Sequence, residues 1–200
     1  MPNMNIVILG GGYAGVSAAI NLAARVKRLD DVTITLVNAS DRFTERLRLH
    51  QTLTGQQTAE LELPALLAGT GVEFVQGWVT AIDTATQTVR VDDSRVLPYD
   101  TLVYALGAVA DSAEIPGVDD HAFTLNTRQD AELLASRLPN LRTVVVAGSG
   151  LTGVECAAEI AEQHPHLEVV LLGRQEPAAA MTPKARAHVR AVLDRLGVQV

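Results

Sequence analysis

The stretch Ile6-Val7-Ile8-Leu9-Gly10-Gly11-Gly12-Tyr13-Ala14-Gly15 constrains the fold more than any other part of the sequence. Four apolar residues read as a short buried strand, and the Ala-rich run after Gly15 reads as a helix. The glycines between them, Gly10-x-Gly12-x-x-Gly15, have the spacing of a dinucleotide-binding turn. In that turn Gly10 makes the tight bend, Gly12 lets the backbone approach a pyrophosphate, and Gly15 lets helix pack close to strand. The start of the helix then directs its N–H groups and positive dipole end at the anion. One such motif is a weak signal. A second copy follows, Val144-Val145-Val146-Ala147-Gly148-Ser149-Gly150-Leu151-Thr152-Gly153-Val154-Glu155, again strand, glycine turn and helix. Two nucleotide sites in one chain imply one cofactor that holds electrons and another that delivers them.

The intervening residues extend this into an α/β fold. A helix from about Gly15 to Val26 and a strand Val32 to Val37 complete the first β-α-β unit. Its second strand ends at Asn38, where this fold usually carries a ribose-binding acid, so the position brings a polar group without charge. The segment from Asp41 to Gln57 is polar and helix-compatible, with Leu47, Leu49 and Leu53 as its apolar contacts, and Pro64 starts a short helix that Gly69 stops. Strands at 73–75, 78–82 and 88–91 predict a small antiparallel meander over the parallel sheet, and the stretch from Tyr99 to Gly107 is expected to return as a buried strand ending in a small-residue turn. Pro116-Gly117 reads as a crossing between domains or as a surface turn. Thr127, with Asp130 three residues on, caps the next helix. After the second glycine turn come a helix from Val154 to Glu162, a strand 168–172 and a helix opened by Thr182-Pro183.

The predicted fold is therefore two Rossmann-like, doubly wound domains, the second inserted into the first, with boundaries 1–112 and 113–200. The second has only its first β-α-β unit and one further helix before the sequence ends. The chain is thus expected to be the front half of a longer protein.

Composition narrows the classes. A net charge of −7 with no basic block argues against nucleic acid as a partner. No run approaches the roughly 20 apolar residues of a membrane helix, and the N-terminus lacks a secretory signal pattern. One cysteine in 200 residues fits a reducing, cytoplasmic setting and excludes an internal disulfide.

The two glycine turns, together with Tyr99-Asp100-Thr101-Leu102-Val103-Tyr104-Ala105-Leu106-Gly107, resemble the two-dinucleotide-domain flavoprotein reductases of the pyridine nucleotide–disulfide oxidoreductase superfamily. Within it the sequence is most similar to type II NADH:quinone dehydrogenases and apoptosis-inducing-factor-like quinone reductases. The resemblance implies FAD at the first turn and NAD(P)H at the second. Carried onto this sequence, Gly10, Gly12, Tyr13, Ala14 and Gly15 would cradle the FAD pyrophosphate, with Asn38 at the adenosine ribose and Val79 against the adenine. Ala105, Leu106 and Gly107 would line the flavin side. Gly148, Gly150, Leu151, Thr152 and Gly153 would hold the nicotinamide cofactor, with Glu155 near its nicotinamide half as the catalytic candidate. The resemblance implies that the family's later Gly-Asp flavin element and its quinone-pocket region would lie beyond Val200. The resemblance also implies a quinone acceptor and, for a longer form, peripheral membrane association and a homodimer. The alternatives are a reductase for a ferredoxin or rubredoxin and a non-catalytic nucleotide-binding fragment.

Several residues admit a second reading. Cys156 lies alone on an Ala-rich helix and is expected to be a packing residue, since disulfide exchange needs two closely spaced thiols. Glu155 and Glu159 share a helix face and act either on the nicotinamide or as complements to the helix dipole. Gly173-Arg174 stands where an acid would favour NADH, and an arginine there can pair with the 2′-phosphate of NADPH. Its other reading is a solvated loop residue. His50 and Gln51, with Arg46 and Arg48, form a polar cluster whose readings are contact with the flavin pyrophosphate or ribityl chain and, as the expected one, solvated helix residues; Trp78 is expected to be packing. No zinc-ligand spacing occurs, so no metal is expected.

Overall fold

A computed structural model of the protein describes residues 4–109 and 115–200. In chain order the elements are β1 (Met4–Leu9), α1 (Tyr13–Val26), β2 (Val32–Asn38), β3 (Arg42–Phe43), a 3-10 turn (Arg46–Arg48), α2 (Leu49–Thr52), β4 (Leu61–Glu62), α3 (Leu63–Leu67) and β5 (Glu73–Gln76). There follow β6 (Val79–Asp83), β7 (Thr88–Val91), β8 (Arg95–Pro98), β9 (Thr101–Tyr104), α4 (Val118–His121), α5 (Arg128–Arg137), a 3-10 turn (Leu138–Asn140), β10 (Thr143–Ala147), α6 (Leu151–Gln163), β11 (Glu168–Leu172) and α7 (Pro183–Arg195). Residue contacts divide the described chain into two compact units. Unit 1 comprises 4–44 and 59–109, and unit 2 comprises 45–58 and 115–200.

Unit 1 is built on a parallel sheet of order β5-β2-β1-β9. Its centre is β1, paired with β2 from Met4↔Val32 to Leu9↔Val37 and with β9 from Ile6↔Thr101 to Leu9↔Tyr104. Because side chains alternate along a strand, β1 serves two cores. Ile6 and Ile8 pack with Val16, Ala19 and Ala23 of α1 and with Leu63 and Leu67 of α3. Val7 and Leu9 face the other way, against Val89, Val91 and Tyr99. The small residues Gly15, Ala19 and Ala23, four apart on one face of α1, are all buried, which fits that helix closely onto the sheet.

The meander does cover the second face, but its composition differs from expectation. The 73–76 strand is not part of it. β5 pairs in parallel with β2, from Thr35↔Glu73 to Asn38↔Gln76. The meander is β6-β7-β8, and its third strand, β8, went unpredicted. Pro98 ends β8 at the edge of that sheet, where a missing N–H costs no ladder bond. The strand expected from Tyr99 begins two residues later, at Thr101, and ends at Tyr104, with loop at 105–107 where the small-residue turn is expected. Tyr99-Asp100 turns the chain from β8 into β9, and residues 105–109 are loop.

Unit 2 has the parallel pair β10-β11, from Thr143↔Glu168 to Ala147↔Leu172, and Gln199 bridges in parallel to Val170. Helix α5 opens with the expected capping box. The Thr127 hydroxyl accepts from the Asp130 N–H at 3.1 Å, and the Asp130 carboxylate accepts from the Thr127 N–H at 3.0 Å. The expected boundary at 112/113 lies outside the described residues. The segment 45–58 belongs with unit 2, because Leu49 and Leu53 are buried in one core with Ala131, Leu138, Ala157 and Ile160. Leu47, the third expected contact, is instead 72% exposed.

Candidate functional site

In unit 1 the chain leaves β1 at Gly10, whose N–H donates to the Val37 carbonyl at 2.8 Å. Gly10 has φ +105°, and a Cβ there would overlap the Ala105 carbonyl, so the turn runs hard against the end of β9. That is the point where strand order reverses about β1, the usual ligand crevice of a doubly wound sheet. A Cβ on Gly15 would overlap the Gly10 carbonyl, so α1 can seat on the turn only with glycine at this position. Gly12, by contrast, is extended and has open space before it. The first turn of α1 has no acidic residue and no side-chain cap, so the amides of Tyr13, Ala14 and Gly15 are presented as donors. Open space in front of unsatisfied N–H groups at a positive dipole end fits an anion such as a pyrophosphate.

Asn38 sits at the end of β2, but its amide is committed locally. Its Oδ1 accepts from the Gly11 N–H at 2.8 Å and its Nδ2 donates to the Ser40 carbonyl at 2.7 Å. The residue therefore braces the glycine turn while also lining a cavity of about 430 Å³ at the ends of the strands. Val79, Leu106 and Gly107 line the same cavity, whereas Ala105 lies behind Gly10. Trp78, expected as packing, is 68% exposed and lines that cavity. Its backbone is pinned at both ends, the Trp78 N–H donating to Asp92 Oδ1 at 2.8 Å and the Trp78 carbonyl accepting from the Asp92 N–H at 2.7 Å. Tyr13 stands outside the cavity lining, with its ring edge-on to Phe43 at 5.0 Å.

Unit 2 repeats the construction. The Gly148 N–H donates to the Leu172 carbonyl at 2.7 Å, Gly148 has φ +127°, and a Cβ on Gly153 would overlap the Gly148 carbonyl. Gly150 is the extended N-cap with open space before it, and Leu151 and Thr152 begin α6 without an acid or a side-chain cap in the first turn. Both glycine-turn helices thus start directly after the middle glycine. For α6 this is three residues earlier than the apolar pattern suggested. A cavity of about 930 Å³ opens here, lined by Gly148, Ser149, Gly150, Gly173, Arg174 and Gln175 among others.

Glu155 lies one turn further along α6 and does not line this cavity. Its carboxylate faces His50 Nδ1 at 3.9 Å, and Gln56 Nε2 donates to Glu159. Polar residues of the 45–58 segment therefore meet Glu155 and Glu159 of α6, a pairing between residues about a hundred positions apart that local pattern cannot reveal. Cys156 points the other way, into the core. Burial, and secondarily the neighbouring Glu155, pushes its thiol up to about 12. It stays protonated and is a poor nucleophile. Among the described residues no cluster of His, Cys, Asp and Glu could hold a metal ion.

The sequence matches the family described as "Pyridine nucleotide-disulphide oxidoreductase" over residues 4–200. The chain belongs to this family. It is 32% identical over 212 residues to demethylphylloquinone reductase NdbB of Synechocystis, covering 98% of this chain and 52% of that protein. It is 29% identical over 179 residues to the type II NADH:quinone oxidoreductase of Staphylococcus aureus, covering 81% and 44% respectively. In fold it matches NDH2 from Plasmodium falciparum in complex with NADH, with TM-score 0.84 at 20% identity over 99% of this chain and 47% of that one. The chain spans about half the length of the curated relatives it matches.

Proposed function

We propose that this chain is the nucleotide-binding part of a flavoprotein oxidoreductase that passes hydride from NAD(P)H to FAD and electrons on to a quinone. Unit 1 takes FAD and unit 2 takes the nicotinamide dinucleotide. The observation that carries the reading is the duplicated turn. Each unit has a glycine bend at the end of a parallel strand, a glycine where helix meets bend, and open space before an uncapped helix start. Membership of a pyridine nucleotide family supports two dinucleotides, and relatives named for quinone reduction support that acceptor.

FAD, when bound, supplies the electron-transfer chemistry. The chain's own residues bind and orient. Amides of Tyr13, Ala14 and Gly15 would take the pyrophosphate, Asn38 holds Gly11 in place, and Val79, Leu106 and Gly107 would shield the ligand from water. In unit 2 Gly150, Leu151 and Thr152 would meet the second pyrophosphate. Glu155, with His50 beside it, is the candidate for acting on the nicotinamide half. No helix among the described residues is long and apolar enough to cross a membrane.

The test is the visible absorption spectrum of the purified chain, reconstituted with FAD, before and after anaerobic addition of NADPH or NADH. Flavin bands that bleach on addition are the expected result. A protein that stays colourless after reconstitution would overturn the catalytic reading for this chain.

A further inference from the structure

The unit 2 cavity carries a steric and an electrostatic feature that bear on which nicotinamide dinucleotide it takes. Strands β10 and β11 are parallel, so both carboxyl ends open on it, and the first residue after β11 is Gly173. A Cβ built there would overlap the Oγ and Cβ of Ser149 and lie 3.0 Å from its backbone nitrogen. Ser149 cannot withdraw cheaply. Its Oγ donates to the Gln175 carbonyl at 2.8 Å, and its own carbonyl accepts from the Ala178 N–H at 3.0 Å. Position 173 therefore has no seat for a side chain. The acid that in this fold bonds the adenosine ribose hydroxyls cannot stand there while Ser149 does.

The next residue is Arg174. It is exposed, lines the cavity and makes no ion pair among the described residues. It is also the one charged residue of that lining among the described residues, in a chain whose net charge is −7. A guanidinium matches a phosphate with two parallel N–H donors, and no carboxylate in the lining opposes a phosphate dianion.

We propose that Ser149 and Arg174 together make this site selective for NADPH over NADH, Ser149 by closing position 173 to an acid and Arg174 by pairing with the 2′-phosphate. The inference rests on the reading of unit 2 as the nicotinamide dinucleotide site. A charge-assisted contact of this kind corresponds to a preference of about 10- to 100-fold.

Direct binding separates the two readings without requiring flavin or turnover. Calorimetric titration of the chain with 2′-phospho-ADP-ribose and with ADP-ribose is expected to show the phosphorylated probe binding at least about tenfold more tightly, with Arg174→Ala removing the difference. The double variant Ser149→Gly with Gly173→Asp opens the seat and supplies the acid, and should reverse the preference. Equal affinity of the two probes for the unaltered chain would overturn the proposal and leave the dinucleotide site standing. A phosphate preference that survives Arg174→Ala would also overturn it. Binding of neither probe would overturn it together with the reading on which it rests.

Discussion

The segment 45–58 makes the most discriminating prediction. Leu53 has no exposed surface, and its neighbours are the side chains of α5 and α6. Leu53→Ala removes three buried carbons, worth about 0.8 kcal/mol each, or roughly 2.4 kcal/mol in transfer alone. A rigid surround adds a cavity cost, which brings the expected loss to about 3 kcal/mol. Leu47 in the same segment is mostly exposed, so Leu47→Ala should change stability by no more than about 0.5 kcal/mol. Amide hydrogen exchange reads the effect element by element. In Leu53→Ala the slowest amides of α6 and β10 should exchange roughly a hundredfold faster, while those of β1 and β2 keep their rates. If acceleration appeared in β1 and β2 and left α6 unchanged, the assignment of this segment to unit 2 would be refuted.

Three further outcomes follow from the same geometry. Gly10→Ala would place a methyl group in the Ala105 carbonyl at a positive φ, and should abolish flavin retention, read as absorbance per mole of protein, while nicotinamide dinucleotide binding persists. Asn38→Ala orphans the Gly11 N–H and should cost unit 1 about 1–3 kcal/mol in denaturant unfolding, whereas Asn38→Asp, which keeps the acceptor, should cost less. Cys156 should resist a thiol reagent from pH 7 to 9 and react only on unfolding. Its folded value of about 12 lies above the ordinary thiol value of 9.0, so folding leaves it neutral where the unfolded chain ionises, and stability should fall as pH rises above 9.

What the sequence revealed was local. Strand, glycine spacing and small-residue helix all lie within ten or so positions, and each glycine's task follows from backbone geometry. The capping box at Thr127 was legible for the same reason. What it hid was non-local. Whether residues 73–76 join the meander or the parallel sheet depends on β2, some forty positions away, and no alternation within four residues decides it. Trp78 is apolar and so reads as core, yet Asp92 holds its backbone at a cavity wall. Asn38 stands where a ribose ligand is expected, and only the Gly11 N–H pointing at it reveals a bracing role. The contact of Ser149 with position 173 joins two loops that are 24 positions apart and has no signature in either.

The burial of Leu49 and Leu53 in unit 2 has a consequence for how such proteins can be recombined. A hybrid in which unit 2 is exchanged for a relative's by a single junction near residue 110 would leave this chain's 45–58 segment facing a foreign core. It would also leave the newcomer without its own plug. A working hybrid would need matched seams near 44, 58 and 110, so gene fragments that look modular along the sequence are not interchangeable cassettes.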